Sequence, residues 1–420
     1  MKDNSLFKNL GKYKNEVAII DGDEKITYSE LINYTKYIKL RLKKKHKILI
    51  LIITSNSLDC LKFYISSVLN NFCIILLDSK SGKKFINNTI QNFNPNYIYY
   101  PKNFNFKYNE KQKIDKKYIL KKKHSKNLKI NNNNLILLTT SGTTGSPKFV
   151  RISYKNISHN TERIVKYLRM KKCEKVITTL PMAYSYGLSI INTSLSSGGV
   201  VFLNDHSIVN LDFWKKIKKE KINSFAGVPQ IYEFLKKIKF HKLLPKSIKY
   251  LTQAGGKMNH DVWKYLLDIS VKNKIKFFSM YGQTEASPRM SFIELTKNKK
   301  KICTIGKPLN GTKFKIFKNN FEIKKNYHEG ELKFYGKNVS LGYANNLDDL
   351  KKNDINKGEL FTGDLAYKDK DGFYYITGRV KRFTKIHGLR IDLDDIENFL
   401  KDKKIISKAF IDDKFLKINL

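Results

Sequence analysis

Short apolar, β-branched runs alternate along the first three quarters of the chain with longer segments in which apolar residues recur at helical spacing. The runs at 48–53, 73–77 and 200–203 carry no charged residue, as expected of strands covered on both faces, whereas 211–221 has the period of an amphipathic helix. Such alternation predicts an α/β architecture of mostly parallel sheets joined by crossover helices. Beyond Gly306 the pattern changes to short strands and turns, with strand-like stretches at 314–317, 331–335 and 373–377. The segment 102–134 is polar, rich in Lys and Asn and weakly periodic, and reads as an irregular connection. No fixed-period repeat runs through the chain, which argues against a solenoid or propeller.

With 420 residues, 41% of them hydrophobic, the chain can bury a large core in two or three lobes. The formal net charge of +44 raises the class of polyanion binders. Of 81 basic residues, however, 8 are Arg and 73 are Lys, scattered through every segment. Phosphate-gripping surfaces draw on Arg forks, and no RNP, KH or helix-turn-helix signature is present, so a specific nucleic-acid partner is not expected. Cys60, Cys73, Cys173 and Cys303 lack CxxC or Cys/His ligand spacing, so neither a zinc site nor a disulfide framework is indicated and a cytoplasmic protein is expected. No uninterrupted apolar run approaches the roughly 20 residues of a membrane span.

The first candidate chemistry stands after the apolar run 135–138. Residues 139–148 read Thr-Thr-Ser-Gly-Thr-Thr-Gly-Ser-Pro-Lys. Gly142 and Gly145 let backbone N–H groups approach an anion, Thr140, Ser141, Thr143 and Thr144 add hydroxyl donors, and Lys148 adds charge. This is the composition of a phosphate cradle, although a Ser/Thr/Gly-rich surface turn shares it. A Walker A loop is excluded, because the Gly-Lys-Ser/Thr ending is missing and Pro147 has no N–H to offer.

Four further segments follow in order: Tyr281-Gly282-Gln283-Thr284-Glu285, Phe361-Thr362-Gly363-Asp364-Leu365, Gly378-Arg379 and the stretch 385–391, Lys-Ile-His-Gly-Leu-Arg-Ile. Together with the first loop, the ordered set resembles the adenylate-forming superfamily of acyl-CoA synthetases, luciferases and peptide-synthetase adenylation domains. Segments at 17–21, 27–31 and 48–53 look like that family's opening, so the likeness runs nearly end to end. It implies an N-terminal α/β core over 1–305, a small β-rich lobe over 306–377, and a hinge near Lys381 leading into a truncated α+β C-terminal domain over 378–420.

The resemblance also implies an activity: a carboxylic acid and ATP form acyl-AMP, and a thiol, CoA or the pantetheine of a carrier protein, then takes the acyl group. Thr284 is expected to contact the α-phosphate and Glu285 to hold Mg²⁺. Asp364 resembles the carboxylate that accepts from the ribose hydroxyls, with Arg379 as companion. Ala254, Gly255 and Gly256 resemble the segment lining the adenine, against which Tyr281, beside Gly282, can stack. The acyl pocket is expected from Tyr184, Tyr186, Gly187, Gly227, Val228 and Ala286. Tyr184 stands where many acyl-CoA synthetases carry His. No acidic residue occurs in 181–190, which disfavours a free α-amino acid as substrate.

The pattern departs from the family in one place. Complete members carry a lysine in a Gly-Lys context near the C-terminus that assists adenylation, and no such motif follows Arg390. A truncated non-catalytic relative that binds nucleotide or acyl-AMP, or one half of a split enzyme, is therefore the alternative expectation.

Overall fold

The computed structural model describes residues 6–7, 10–42, 46–104, 111–112, 114–122, 129–140, 148–204 and 206–380, with short stretches between 383 and 419. Two large sheets and one smaller sheet organise the described residues up to 380. In the eight-stranded sheet, Leu49–Thr54 lies between Cys73–Asp78 and Tyr97–Pro101, and Asn134–Thr139 extends the parallel set. All six residues of Leu49–Thr54 are buried, as its unbroken apolar run predicts. The nine-stranded sheet has a parallel centre built from Val17–Asp21, Val200–Phe202, Lys175–Ile177, Ser224–Gly227, Tyr250–Gln253 and Lys276–Gly282. Antiparallel strands Arg289–Glu294 and Lys307–Pro308 finish one edge.

The helices Leu58–Leu69, Tyr154–Leu168 and Ser185–Ser196 contribute to one apolar cluster with strand residues of both large sheets, among them Ile50, Ile74, Ile136, Val176 and Val201. Burial of this apolar surface joins the sheets through their helices. The five-stranded sheet is antiparallel throughout, in the order Phe321–Ile323, Lys313–Lys318, Gly330–Tyr335, Glu359–Lys368, Tyr374–Arg379. Chain from this part of the sequence also returns to the larger body, where Tyr343–Ala344 pairs with Phe149 and Val150. The hairpins Phe383–Ile386 with Leu389–Asp392 and Lys408–Asp412 with Phe415–Asn419 follow.

The polar segment 102–134 is not wholly irregular. Tyr118–Lys122 forms a strand antiparallel to Tyr97–Pro101, with Tyr118 and Leu120 buried. The surrounding lysines and asparagines mask this two-residue apolar period. No helix among the described residues is long and apolar enough to cross a membrane.

Candidate active site

Asp364 is a buried carboxylate held by three side-chain donors. Antiparallel register places it directly opposite Arg379, whose Nε lies 2.6 Å from Oδ1. The Tyr281 hydroxyl donates to Oδ2, and the Gln283 amide donates to the same oxygen at 3.1 Å and to the Thr362 carbonyl at 2.9 Å. Asp364 is 3% exposed, whereas the Arg379 side chain is 55% exposed, so one of its donors is movable and two are fixed in the protein. Burial, reinforced by the Asp364 charge, drives the Tyr281 phenol far above its ordinary pKa, so it remains a donor. Gln283 belongs to the 281–285 motif, but sequence reasoning gave it no role.

The turn that carries Thr284 and Glu285 depends on a glycine. A Cβ on Gly282 would stand 2.0 Å from the Pro288 carbonyl oxygen, and Gln283 N–H donates to that same oxygen at 3.0 Å. A short 3₁₀ turn, Thr284–Ala286, follows. Asn338, which no sequence signal pointed to, pins it by donating to the carbonyls of Ala286 at 2.7 Å and Arg289 at 2.9 Å. Asn160 also donates to the Arg289 carbonyl, at 2.7 Å. The exit of the turn is thereby fixed.

Thr284 Oγ1 sits 3.2 Å from Ser185 Oγ at the start of the helix Ser185–Ser196. Glu285 Oε1 accepts from the Tyr343 hydroxyl at 2.7 Å, and Lys148 Nζ lies 5.9 Å from the centre of the Tyr343 ring. Tyr343 therefore connects the acidic turn to the end of the phosphate-loop segment, and nothing in its sequence context marked it. Thr140 and Lys148 themselves end the antiparallel strands Asn134–Thr139 and Phe149–Ser153, with Thr140 N–H donating to the Lys148 carbonyl at 3.3 Å. Ser141, Gly142, Thr143, Thr144 and Gly145 lie outside the described residues.

Ala254, Gly255 and Gly256 follow the strand Tyr250–Gln253, and Gln253 Nε2 closes the turn on the Gly256 carbonyl at 3.1 Å. Gly255 has φ +94°, and a Cβ there would stand 2.4 Å from the Tyr184 hydroxyl and 3.3 Å from Val228 Cγ1. The structure thus brings Tyr184, Val228 and the glycine turn together. Gly187 is packed tightly, since a Cβ would meet the Pro181 carbonyl oxygen at 2.3 Å, and Gly227 abuts the Tyr232 ring. Ala286 is fully buried. Tyr186 is buried with its hydroxyl 2.8 Å from Thr252 Oγ1, so it faces the strand beneath.

The donor chemistry fits a hard cation beside phosphate. Among the described residues no group of three His, Cys, Asp or Glu forms a metal cage. One carboxylate, Glu285, stands next to hydroxyls, a set that suits Mg²⁺ completed by phosphate oxygens.

A family model described as AMP-binding enzyme matches residues 6–344. The oxalate–CoA ligase of Saccharomyces cerevisiae is 27% identical over 276 residues, covering 65% of this chain and 50% of the relative. A long-chain-fatty-acid–CoA ligase of Bacillus subtilis is 30% identical over 289 residues, covering 66% and 49%. The matched part of this chain thus spans about half the length of these relatives. Among solved structures, the O-succinylbenzoate coenzyme A synthetase of Bacillus subtilis in complex with AMP superposes with a TM-score of 0.79 at 21% identity, covering 99% of this chain and 88% of that one. Its form in complex with ATP and magnesium ion gives a TM-score of 0.76 at 20% identity, covering 99% and 88%.

Proposed function

The chain belongs to the AMP-binding enzyme family, and from that premise we propose that it is an AMP-forming acid–thiol ligase. In the first step a carboxylate oxygen attacks the α-phosphorus of ATP, the bond to pyrophosphate breaks, and acyl-AMP forms. In the second a thiolate attacks the acyl carbon, the bond to the AMP oxygen breaks, and the thioester and AMP leave. The observation that carries the reading is that the 281–285 segment contacts the buried Asp364 through Tyr281 and Gln283 at one end and, through Glu285 and Tyr343, approaches Lys148 at the other.

In this reading Asp364 holds the ribose. A carboxylate offers about four lone-pair sites, and Arg379 is the exposed donor able to make room for the sugar hydroxyls. Thr284 and Ser185 offer hydroxyls to the α-phosphate, while Lys148 and Thr140 flank the loop assigned to the β- and γ-phosphates. Glu285 holds Mg²⁺, which neutralises charge on the phosphate oxygens. The glycine turn 254–256 lines the adenine, and Tyr184 with Val228 borders the acyl group. We assign 1–305 and 306–377 as the core and lobe that frame this site, with 378–420 as the segment that approaches it. The relatives named as CoA ligases favour CoA as acceptor, with carrier-protein pantetheine the other thiol of matching chemistry. The reaction belongs in the cytoplasm, where ATP and free thiols are available.

A panel of carboxylic acids tested for acid-dependent pyrophosphate release checks the proposal. One or more acids are expected to raise release above the acid-free rate, with AMP appearing in equal amount once CoA is supplied as the acyl acceptor. AMP binding without release for any acid would instead support a nucleotide-binding relative.

A further inference from the structure

Two arginines are buried among the described residues, and the fold treats them differently. Arg151 is fully buried, but its guanidinium donates to three backbone carbonyls, those of Lys352 at 2.7 Å, Leu341 at 2.7 Å and Asn353 at 3.0 Å. It clamps the segment between the neighbouring strands Gly330–Tyr335 and Glu359–Lys368 against Phe149–Ser153. Arg289 is 2% exposed and opens the strand Arg289–Glu294, four residues beyond Glu285. Its guanidinium lies 4.5 Å from the centre of the Tyr186 ring, donates to Ser189 Oγ at 3.2 Å and also reaches the Tyr167 hydroxyl. Its Nε, like that of Arg151, is buried with no hydrogen-bond partner, but no set of backbone carbonyls receives the rest of its guanidinium, and no ion pair joins it to a carboxylate, among the described residues.

A guanidinium cannot neutralise itself by losing a proton, so burying it with neither an anion nor a full set of carbonyl acceptors is costly. Arg289, packed on the ring of Tyr186 and close enough to Tyr184 to act on its hydroxyl, both expected to line the acyl group, is therefore a receptor candidate for an anion. The charge reaches the right place: it opposes the burial-driven rise in phenol pKa at Tyr167, Tyr184 and Tyr186 alike. Tyr184 is the residue whose hydroxyl meets the glycine turn. The helix Ser185–Ser196 supplies a ruler, because Ser185 touches Thr284 and Ser189, one turn later, touches Arg289. One turn of four residues spans about 6 Å.

We propose that Arg289 is the receptor for a second anionic group on the acid, so that the preferred substrate is a short dicarboxylic acid of about four to six carbons, a length set by the helical rise. The inference rests on the ligase reading, with the reacting carboxylate at Thr284 and the distal carboxylate at Arg289. A site built to hydrogen-bond a polar group rejects the analogue that lacks it, because its own buried donor is then left unpaired.

The test uses two non-hydrolysable acyl-adenylate mimics, the sulfamoyl adenosines carrying glutaryl and pentanoyl groups, which differ only at the distal end. Calorimetry with the whole chain is expected to show the glutaryl mimic binding at least about tenfold more tightly, as charge-assisted bonds to a buried group require. Arg289→Met should erase the preference with AMP affinity unchanged, and Arg289→Lys should keep part of it. Equal affinities of the parent chain for both mimics, within a factor of about two, would overturn the inference while leaving AMP binding and the ligase reading intact, and so would a preference that survives in Arg289→Met. Failure of the parent to bind AMP or either mimic would overturn the inference and the ligase reading together. The parent comparison decides the matter even if a variant does not fold.

Discussion

Asp364 and Arg289 are both nearly sealed from water, yet one charge is answered and the other is not. Three donors converge on Asp364, from Tyr281, Gln283 and Arg379. Arg289 meets the Ser189 and Tyr167 hydroxyls and an aromatic face, and no carboxylate among the described residues. Burial alone therefore says little about what a charged residue is for. A saturated anion is held in one geometry before any ligand arrives, which is the preorganisation a nucleotide site needs. An undersaturated cation leaves its strongest interaction to be made by something else, and in the ligase reading that partner is substrate.

The largest effect is expected where the answered charge is removed. Asp364→Ala leaves the buried Tyr281 hydroxyl without its acceptor and deletes two candidate bonds to ribose, each worth about 1.5–3 kcal/mol when the acceptor is charged. AMP and ATP affinity should fall together by about a hundredfold or more, and thermal stability should fall as well. Calorimetry with AMP reads the first and a melting curve the second. An unchanged AMP dissociation constant would remove the ribose role, and an unchanged melting temperature would mean that the cluster adds nothing to the fold.

Glu285→Gln comes next, because it keeps the shape of the turn and the Tyr343 contact while removing a charge. The expected loss is about 1.5–3 kcal/mol of Mg-ATP binding, the range for interactions with a charged group, with AMP binding in the absence of metal nearly unchanged. Parity between Mg-ATP affinities of variant and parent would strip Glu285 of the metal role. Tyr343→Phe is smaller: one hydrogen bond to Glu285, on a residue 42% exposed, is worth about 1 kcal/mol. A roughly fivefold weaker Mg-ATP interaction follows if Tyr343 positions Glu285, and none if the contact is incidental.

What could be read in the sequence follows from what sequence encodes locally. The parallel α/β architecture is written in the runs that become Leu49–Thr54 and Cys73–Asp78, since strands covered on both faces need unbroken apolar composition. The strand Tyr118–Lys122 escaped notice because only Tyr118 and Leu120 show its period amid lysines. Motif residues such as Tyr281, Asp364 and Arg379 were visible by type and order, and the structure places these three in contact. Gln283, Tyr343, Asn338 and Arg289 act across separations of 49 to 100 residues, as with Asn338 to Arg289 and Arg289 to Ser189. No local period or turn rule reports a partner that far away. The charge state of Arg289 could be read from its residue type, but its lack of an acidic partner appears only once strand and helix are packed.

The smallest effect tests the contrast from its other side, with a base that burial can neutralise. His159 on the helix Tyr154–Leu168 has a buried Nδ1 without a hydrogen-bond partner. Burial, aided by the nearby Arg163 charge, holds its pKa down to about 4 from an ordinary 6.5. The folded chain therefore keeps His159 neutral where the unfolded chain takes up a proton. Stability from this residue is fully present above about pH 6.5 and is lost as the pH falls toward 4, because the unfolded state binds more protons in that window. Partial exposure screens the effect, leaving on the order of 1 kcal/mol. Urea unfolding at pH 7 and pH 5 should show a smaller acid loss for His159→Gln than for the parent. Equal losses would mean that the imidazole is hydrated in the folded chain, whereas a smaller loss means that burial discharges this histidine, a route that a guanidinium lacks.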